Sequence, residues 1–125
     1  MVDGQLLQAD DIVIATGSYP SMPQIPGIEL AMHSDHFFDL DHCPKSVAML
    51  GSGYIAVELA GLFMAFGCET NLVIRRDRVL TNFDAETGTK LTEAMEKNGM
   101  KIHKNSGFKK IELVPETGFK RVSIL

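Results

Sequence analysis

The stretch "MLGSGYIAVELAGLFMAFG", residues 49–67, decides the fold, because a short apolar strand runs through glycines into an apolar helical segment. We predict a strand over Ser46–Leu50, a tight turn over Gly51–Gly53 and a helix over Gly53–Phe66. Gly67 follows as the residue that ends the helix. Apolar residues lie nearly all round this helix, which predicts its burial between a sheet and neighbouring elements.

The rest of the chain continues the alternation of strands and helices. A second strand is predicted over Thr70–Ile74, and the basic loop Arg75–Phe83 leads to Asp84 as the cap of an amphipathic helix. The later strands are predicted over Met100–His103, Phe108–Val114 and Phe119–Leu125, the last two forming a hairpin. The fold class is therefore α/β: a Rossmann-like parallel sheet with flanking helices plus a small antiparallel hairpin.

The N-terminal third has a different texture. Its apolar, β-branched run Ile12–Ala15 stops at Gly17, which predicts a buried strand. Prolines recur every third residue at positions 20, 23 and 26, which favours an extended, polyproline-like linker over residues 18–45. Because unpaired strand edges invite pairing, we hypothesise that the N-terminal strand docks onto the sheet or that two chains associate through their edges.

Composition and charge exclude several classes of function. A chain of 125 residues holds one domain with a modest core, and a net charge of −4 gives no sign of a nucleic-acid partner. Residues 47–68 are apolar, but four glycines and Glu58 argue against a membrane span. Met1–Asp11 lacks the pattern of a signal peptide. Cys43 and Cys68 lie 25 positions apart without metal-ligand spacing, so we expect free thiols in a reducing compartment and no metal site.

The glycine turn carries a specific motif. Residues 51–56, "GSGYIA", match G-x-G-x-x-A between a strand and a helix, which is the dinucleotide fingerprint. Gly51 permits the tight turn, Gly53 lets a pyrophosphate approach the backbone, and Ala56 lets the helix pack closely on the strand. The helix N-terminus offers N–H groups and a positive dipole end to phosphates. The alternative is a tight turn that holds no ligand.

The end of the second strand distinguishes between dinucleotides. NAD-binding folds usually place a carboxylate there for the ribose 2′-hydroxyl. This chain instead has Arg75, Arg76 and Arg78 around Asp77. Guanidinium groups suit a 2′-phosphate because they are permanently charged and bind it in a bidentate manner. The residues therefore favour NADP(H) over NAD(H), with a solvated basic loop as the alternative.

Glu58 is the one charged residue of the apolar helix. A buried carboxylate is costly without a partner, and no basic residue lies between Lys45 and Arg75. Its partner is therefore expected on another domain or on the bound cofactor. A hydrated position at the rim is the other interpretation.

Four ordered motifs together resemble one known family. The chain is similar to the pyridine nucleotide-disulfide oxidoreductases from about Ala9 to Ile111. The motifs that carry this likeness are "IVIATGSYPSMPQIPGIE", "SDHFFDL", "GSGYIAVELAG" and "IRRDRVLTNFD". Within that family the likeness is greatest to the reductases of glutathione disulfide. The resemblance implies a homodimeric flavoenzyme with FAD, NADPH and interface domains. Such enzymes pass a hydride from NADPH to the flavin, and electrons then reach a cysteine pair and the disulfide substrate.

The resemblance also implies roles for individual residues. Tyr54 becomes an aromatic gate at the nicotinamide pocket, and Glu58 lies near the nicotinamide, paired with a lysine of the flavin domain. Arg75 binds the 2′-phosphate. Thr81 stands where glutathione-reducing members usually carry a second arginine, so either Arg76 or Arg78 compensates or the preference for NADPH is weaker than usual. Thr16 and Gly17 match the stretch that leaves the FAD domain. The expected NADPH-binding residues are Gly51, Ser52, Gly53, Tyr54, Ile55, Glu58, Arg75, Arg76 and Arg78.

Several family motifs are absent from the chain, among them the FAD fingerprint, the CxxxxC redox pair and the closing A-x-G-R strand. We therefore expect residues 1–17 to be the tail of an FAD-binding domain, 18–45 a linker, and 46–125 an NADPH-binding domain that is incomplete at its C-terminus. The chain alone is expected to be inactive, and the parent enzyme to be cytoplasmic or mitochondrial.

Two alternatives to this assignment remain. The first is a stand-alone NADP(H)-binding or interaction module without redox chemistry. The second is another family member, of the thioredoxin, trypanothione, mercuric or dihydrolipoamide type. The dihydrolipoamide enzymes prefer NAD, and the arginines argue against them.

Overall fold

A three-stranded parallel sheet forms the centre of the computed structural model, which describes residues 3–125. Strands β1 (Ser46–Leu50), β2 (Glu69–Val73) and β3 (Lys101–His103) lie in the order β1-β2-β3. The strands begin within one residue of their predicted positions. The parallel sheet, its flanking helices and the separate hairpin confirm the predicted fold class.

Two helices provide the crossovers between these strands, α1 over Tyr54–Ala65 and α2 over Ala85–Lys97. The Asp84 carboxylate accepts a 2.8 Å hydrogen bond from the backbone N–H of Thr87, which confirms the predicted cap of α2. Apolar side chains from both helices and from the sheet meet in one core. Its buried members are Ala60, Leu72, Ile74, Val79, Met95 and Met100.

The C-terminal hairpin forms a second, antiparallel sheet, with β4 over Phe108–Leu113 and β5 over Lys120–Ile124. The connecting segment is attached to it, because the carbonyl of Pro26 accepts a 2.9 Å hydrogen bond from the N–H of Ile111. At Gly27 the backbones come so close that an added Cβ would overlap the carbonyl oxygen of Ile111. Segment 18–45 is therefore anchored along part of its length.

The same segment also contacts α1. Two short 3₁₀ helices, Ile28–Leu30 and Ser34–Asp39, interrupt the extended course that the proline spacing predicts. The ring of Phe37 meets the ring of Phe63 edge to face, with their centroids 5.1 Å apart. An aromatic contact therefore fixes the second 3₁₀ helix against the domain core.

The predicted N-terminal strand is wrong. Ile12, Val13 and Ile14 have no regular secondary structure, and more than 80% of each side chain is exposed. Docking of this run onto the sheet is wrong as well, because within residues 3–125 the strands of each sheet pair only among themselves. A short apolar run forms a strand only when a neighbour takes its backbone hydrogen bonds.

The prediction that α1 is buried on all sides is also wrong. Only Ala60 and Phe63 of this helix are buried: Ala60 belongs to the core cluster, and Phe63 packs against Phe37. The outward face is apolar yet exposed, and it includes Tyr54, Ile55, Leu62 and Phe66. Within residues 3–125 nothing covers this face. In the same range, no helix combines the length and apolarity needed to cross a bilayer.

Candidate functional site

The glycine turn lies at the carboxyl end of β1, where open parallel sheets bind their ligands. The N–H of Gly51 donates a 3.1 Å hydrogen bond to the carbonyl of Val73 at the end of β2. Gly51 has a φ of +145°, and a Cβ there would lie 3.3 Å from the Cβ of Ala56. The turn therefore needs a glycine both for its backbone conformation and for the close approach of α1.

The N-terminus of α1 is open to a ligand. Gly53 occupies the N-cap position, and among the described residues no side chain caps the first turn by a hydrogen bond. No acidic residue lies in that turn, and a Cβ built on Gly53 would have no hindering atom of residues 3–125 within 4 Å of it. The free N–H groups and the positive end of the helix dipole can therefore approach phosphate oxygens directly.

A polar pocket of about 350 Å³ joins this turn to the loop after β2. It is lined by Ser52, Arg75, Arg76 and Thr81. Both arginines are exposed, so their guanidinium groups are accessible to a ligand. Two permanent positive charges beside a turn with free N–H groups can attract an anion that carries more than one phosphate.

Two backbone hydrogen bonds, from Val79 and Leu80, fix the loop that carries Thr81. The N–H of Leu80 donates a 2.6 Å hydrogen bond to the carbonyl of Ser52. The N–H of buried Val79 donates a 3.0 Å hydrogen bond to the Thr92 hydroxyl, which in turn donates to the carbonyl of Gly88. Helix α2 and the glycine turn thus position the pocket wall together.

Arg78 lies apart from the other two arginines. Its Cδ and Nη1 would both be 3.4 Å from a Cβ added to Gly88 of α2. Nη1 is buried and has no hydrogen-bond partner within residues 3–125. The structure therefore brings Arg75 and Arg76 to Ser52, whereas Arg78 packs against the second helix and does not line the pocket.

Tyr54 and Glu58 lie on the outward face of α1. Tyr54 is the first residue of the helix and is 64% exposed, and Ile55 beside it is also exposed. Glu58 is exposed at the edge of a groove of about 460 Å³ between the two helices, and it forms no ion pair within residues 3–125. In this chain by itself, the Glu58 carboxylate is therefore hydrated at the rim of the groove, which is the second of the two interpretations given for it.

The FAD-proximal candidates Thr16 and Gly17 lie in the exposed N-terminal segment. They line neither the polar pocket nor the groove between the helices. Gly17 has a φ of +73°, and a Cβ added there would meet no atom of the described part of the chain within 4 Å. Sequence reasoning missed the contribution of Leu80, because its N–H reaches Ser52 through a loop with no periodic pattern.

Comparison with known sequences identifies relatives along nearly the whole chain. The family model described as "Pyridine nucleotide-disulphide oxidoreductase" matches residues 1–122. Glutathione reductase of Schizosaccharomyces pombe is 44% identical over 113 residues, which are 89% of this chain and 24% of that protein. Glutathione reductase of Yarrowia lipolytica is 45% identical over 107 residues, which are 86% of this chain and 23% of that protein. The chain thus spans about a quarter of the length of these relatives.

Solved structures show the same fold. The HOCl-induced flavoprotein disulfide reductase RclA of Escherichia coli, as a Cu(II) complex of a variant, has a TM-score of 0.74 at 25% identity. That match covers 87% of this chain and 25% of the other. An engineered water-forming NADPH oxidase bound to NADPH has a TM-score of 0.73 at 22% identity, over 87% of this chain and 26% of the other. The second likeness concerns the fold alone.

Proposed function

The chain belongs to the pyridine nucleotide-disulphide oxidoreductase family, and from this membership we propose that residues 46–125 bind NADPH for a flavin-dependent disulfide reductase. One observation carries the proposal: Arg75 and Arg76 share a polar pocket with Ser52 of the glycine turn. The relatives' names point to glutathione disulfide as the substrate of the whole enzyme.

The two halves of the pocket suit two parts of the dinucleotide. The turn N–H groups and the dipole of α1 would hold the pyrophosphate, with Gly53 leaving room for its approach. Arg75 and Arg76 would hold the ribose 2′-phosphate through charge-assisted, bidentate hydrogen bonds. None of the residues that line the pocket is a carboxylate, so the free 2′-hydroxyl of NADH would find no negatively charged acceptor there.

The outward face of α1 suits contact with the flavin-binding part of the whole enzyme. FAD bound to that flavin-binding part would accept the hydride from the nicotinamide. Tyr54 would cover the nicotinamide position until NADPH arrives, and Glu58 would accept a hydrogen bond from a lysine of that part. Residues 1–17 would belong to the same part, with Thr16 and Gly17 near the cofactor. Within residues 3–125 the Glu58 carboxylate forms no ion pair, and it lies among exposed apolar side chains, which supports this assignment.

Remaining proposals concern the assembly of the whole enzyme. Residues 18–45 would connect the FAD-binding part to the NADPH-binding domain. The enzyme would act as a homodimer in a reducing compartment, the cytoplasm or the mitochondrion. Two free thiols in this chain support such a compartment.

Calorimetric titration of the chain with NADPH and with NADH tests cofactor binding. Contacts to the 2′-phosphate contribute about 1.5–3 kcal/mol, so we expect a roughly ten- to hundredfold preference for NADPH that shrinks with salt. Arg75→Gln and Arg76→Gln should each reduce this preference. Arg121→Gln in β5 is the matched control, because it removes the same charge from an exposed residue outside the pocket.

Circular dichroism shows whether each variant is folded. Equal affinity for NADPH and NADH in the folded chain, or NADPH binding that neither pocket variant weakens, would contradict the proposal. The flavin step is tested separately in the whole enzyme, which should be yellow with bound FAD. Its flavin absorbance should be bleached by NADPH more readily than by NADH.

A further inference from the structure

The two cysteines, which are far apart in sequence, lie at the same corner of the domain, where the sheet begins. Ser46 pairs with Glu69 as the first register pair of β1 and β2, and the N–H of Glu69 donates a 3.0 Å hydrogen bond to the carbonyl of Lys45. Cys68 immediately precedes Glu69 and therefore lies beside Lys45. Cys43 lies two residues before Lys45, so the parallel register brings it to the same corner.

The two thiols differ in exposure and reactivity. Cys43 is exposed, whereas Cys68 is 6% exposed, and both are free. Each Sγ has a backbone carbonyl, of Pro44 or Glu69, as its weak hydrogen-bond acceptor. Burial raises the pKa of the Cys68 thiol, and the neighbouring Cys43 thiol raises that pKa further. An external reagent therefore reaches Cys43 first, and Cys68 is the second thiol to react.

We propose that Cys43 and Cys68 form a reversible intrachain disulfide when the protein meets a low-molecular-weight disulfide. The Cys43 thiolate attacks one sulfur of that disulfide and releases the first small thiol. The Cys68 thiolate then attacks the Cys43 sulfur of the mixed disulfide and releases the second small thiol. The protein loses two electrons and two protons, and the small disulfide gains them as two thiols.

This disulfide would link the connecting segment directly to the start of β2. Segment 18–45 is already attached to β4 through Pro26 and to α1 through Phe37. The new bond would add a covalent attachment at its C-terminal end, where Cys43 has no regular secondary structure and can adjust. The inference is independent of NADPH binding and holds whether or not that proposal succeeds.

The test exposes the reduced chain to oxidised glutathione at neutral pH and follows it by intact-mass spectrometry and peptide mapping. We expect the loss of two hydrogen atoms, a cross-linked peptide pair containing Cys43 and Cys68, and full reversal by dithiothreitol. Because the bond closes a loop in the unfolded chain, the oxidised protein should melt at least about 5 °C higher.

Cys43→Ser is the main control, since it changes an exposed residue and leaves the core intact. It should neither form the disulfide nor retain glutathione on buried Cys68. Cys68→Ser should instead stop at a mixed disulfide on Cys43, and near-native circular dichroism verifies its fold. A stable mixed disulfide on Cys43 of the unmodified chain, a disulfide-linked dimer, or no reaction would each overturn the proposal.

Discussion

The backbone N–H of Leu80 donates a 2.6 Å hydrogen bond to the carbonyl of Ser52 and so joins the arginine loop to the glycine turn. Leu80 makes this bond with a φ of +52°, a conformation that non-glycine residues seldom adopt. Its neighbour Thr81 lines the polar pocket with Ser52. This hydrogen bond therefore helps to fix the position of the arginine loop relative to the glycine turn.

Replacing Leu80 with proline should separate the two parts of the pocket. Proline has no N–H and cannot adopt a positive φ. We expect Leu80→Pro to weaken NADPH binding by about tenfold or more, because the hydrogen bond and the loop position are both lost. Leu80→Ala is the control, because it also removes the leucine side chain from the core but keeps the N–H. Equal affinity of the two variants in calorimetry would show that the bond to Ser52 does not position the site.

Removing the hydroxyl of Thr92 should destabilise the arginine loop. Thr92→Val has nearly the same shape but leaves the N–H of buried Val79 without an acceptor. An unsatisfied buried donor costs about 1–3 kcal/mol, which urea denaturation measures as a lower free energy of unfolding. Thr92→Ser retains the hydroxyl and should lose less. If the valine variant proves as stable as the native chain, the hydroxyl bridge contributes nothing.

A side chain at position 27 should detach the connecting segment from β4. Gly27→Ala places a Cβ 1.9 Å from the carbonyl oxygen of Ile111 at a φ of +82°. Gly17→Ala is the control, since its φ is +73° but its added Cβ meets nothing within 4 Å. We expect only the first variant to lose stability, by about 1–3 kcal/mol, and to be cleaved faster by protease between residues 18 and 31. Similar proteolysis of both variants would refute the anchoring.

The cap of α2 should respond to acid in a defined direction. The hydrogen bond from the backbone N–H of Thr87 lowers the pKa of Asp84. A lowered folded-state pKa means that the stabilisation is present above the ordinary aspartate pKa and is lost as pH falls through the folded value.

Melting temperatures across pH test this expectation. Asp84→Ala should melt below the native chain at neutral pH, and the difference should narrow toward pH 3 and below. Asp84→Asn keeps a capping acceptor without the titrating charge, so its deficit at neutral pH should be smaller. If the melting temperature of Asp84→Ala lies below that of the native chain by the same amount at every pH, the effect comes from helix propensity and not from the titrating carboxylate.

Local sequence patterns predicted the central part of the fold and the outline of the site. The apolar run before Gly51 and the apolar segment after Gly53 identified β1 and α1, and an aspartate before an amphipathic run identified the cap of α2. Such signals succeed because strand, turn and helix preferences depend on neighbouring residues. Local preferences gave a wrong strand at Ile12–Ala15, because this β-branched run has no partner strand within the described residues.

The sequence by itself determined a strand–glycine turn–helix unit followed by a cluster of arginines, because backbone conformation and charge are properties of adjacent residues. Only the tertiary structure decided which arginines reach the turn: Arg75 and Arg76 line the pocket, while Arg78 packs against α2. It also decided that Cys43 and Cys68 lie at the same corner of the sheet. Such pairings arise from the register of parallel strands and the course of a loop, which depend on contacts between residues far apart in the chain.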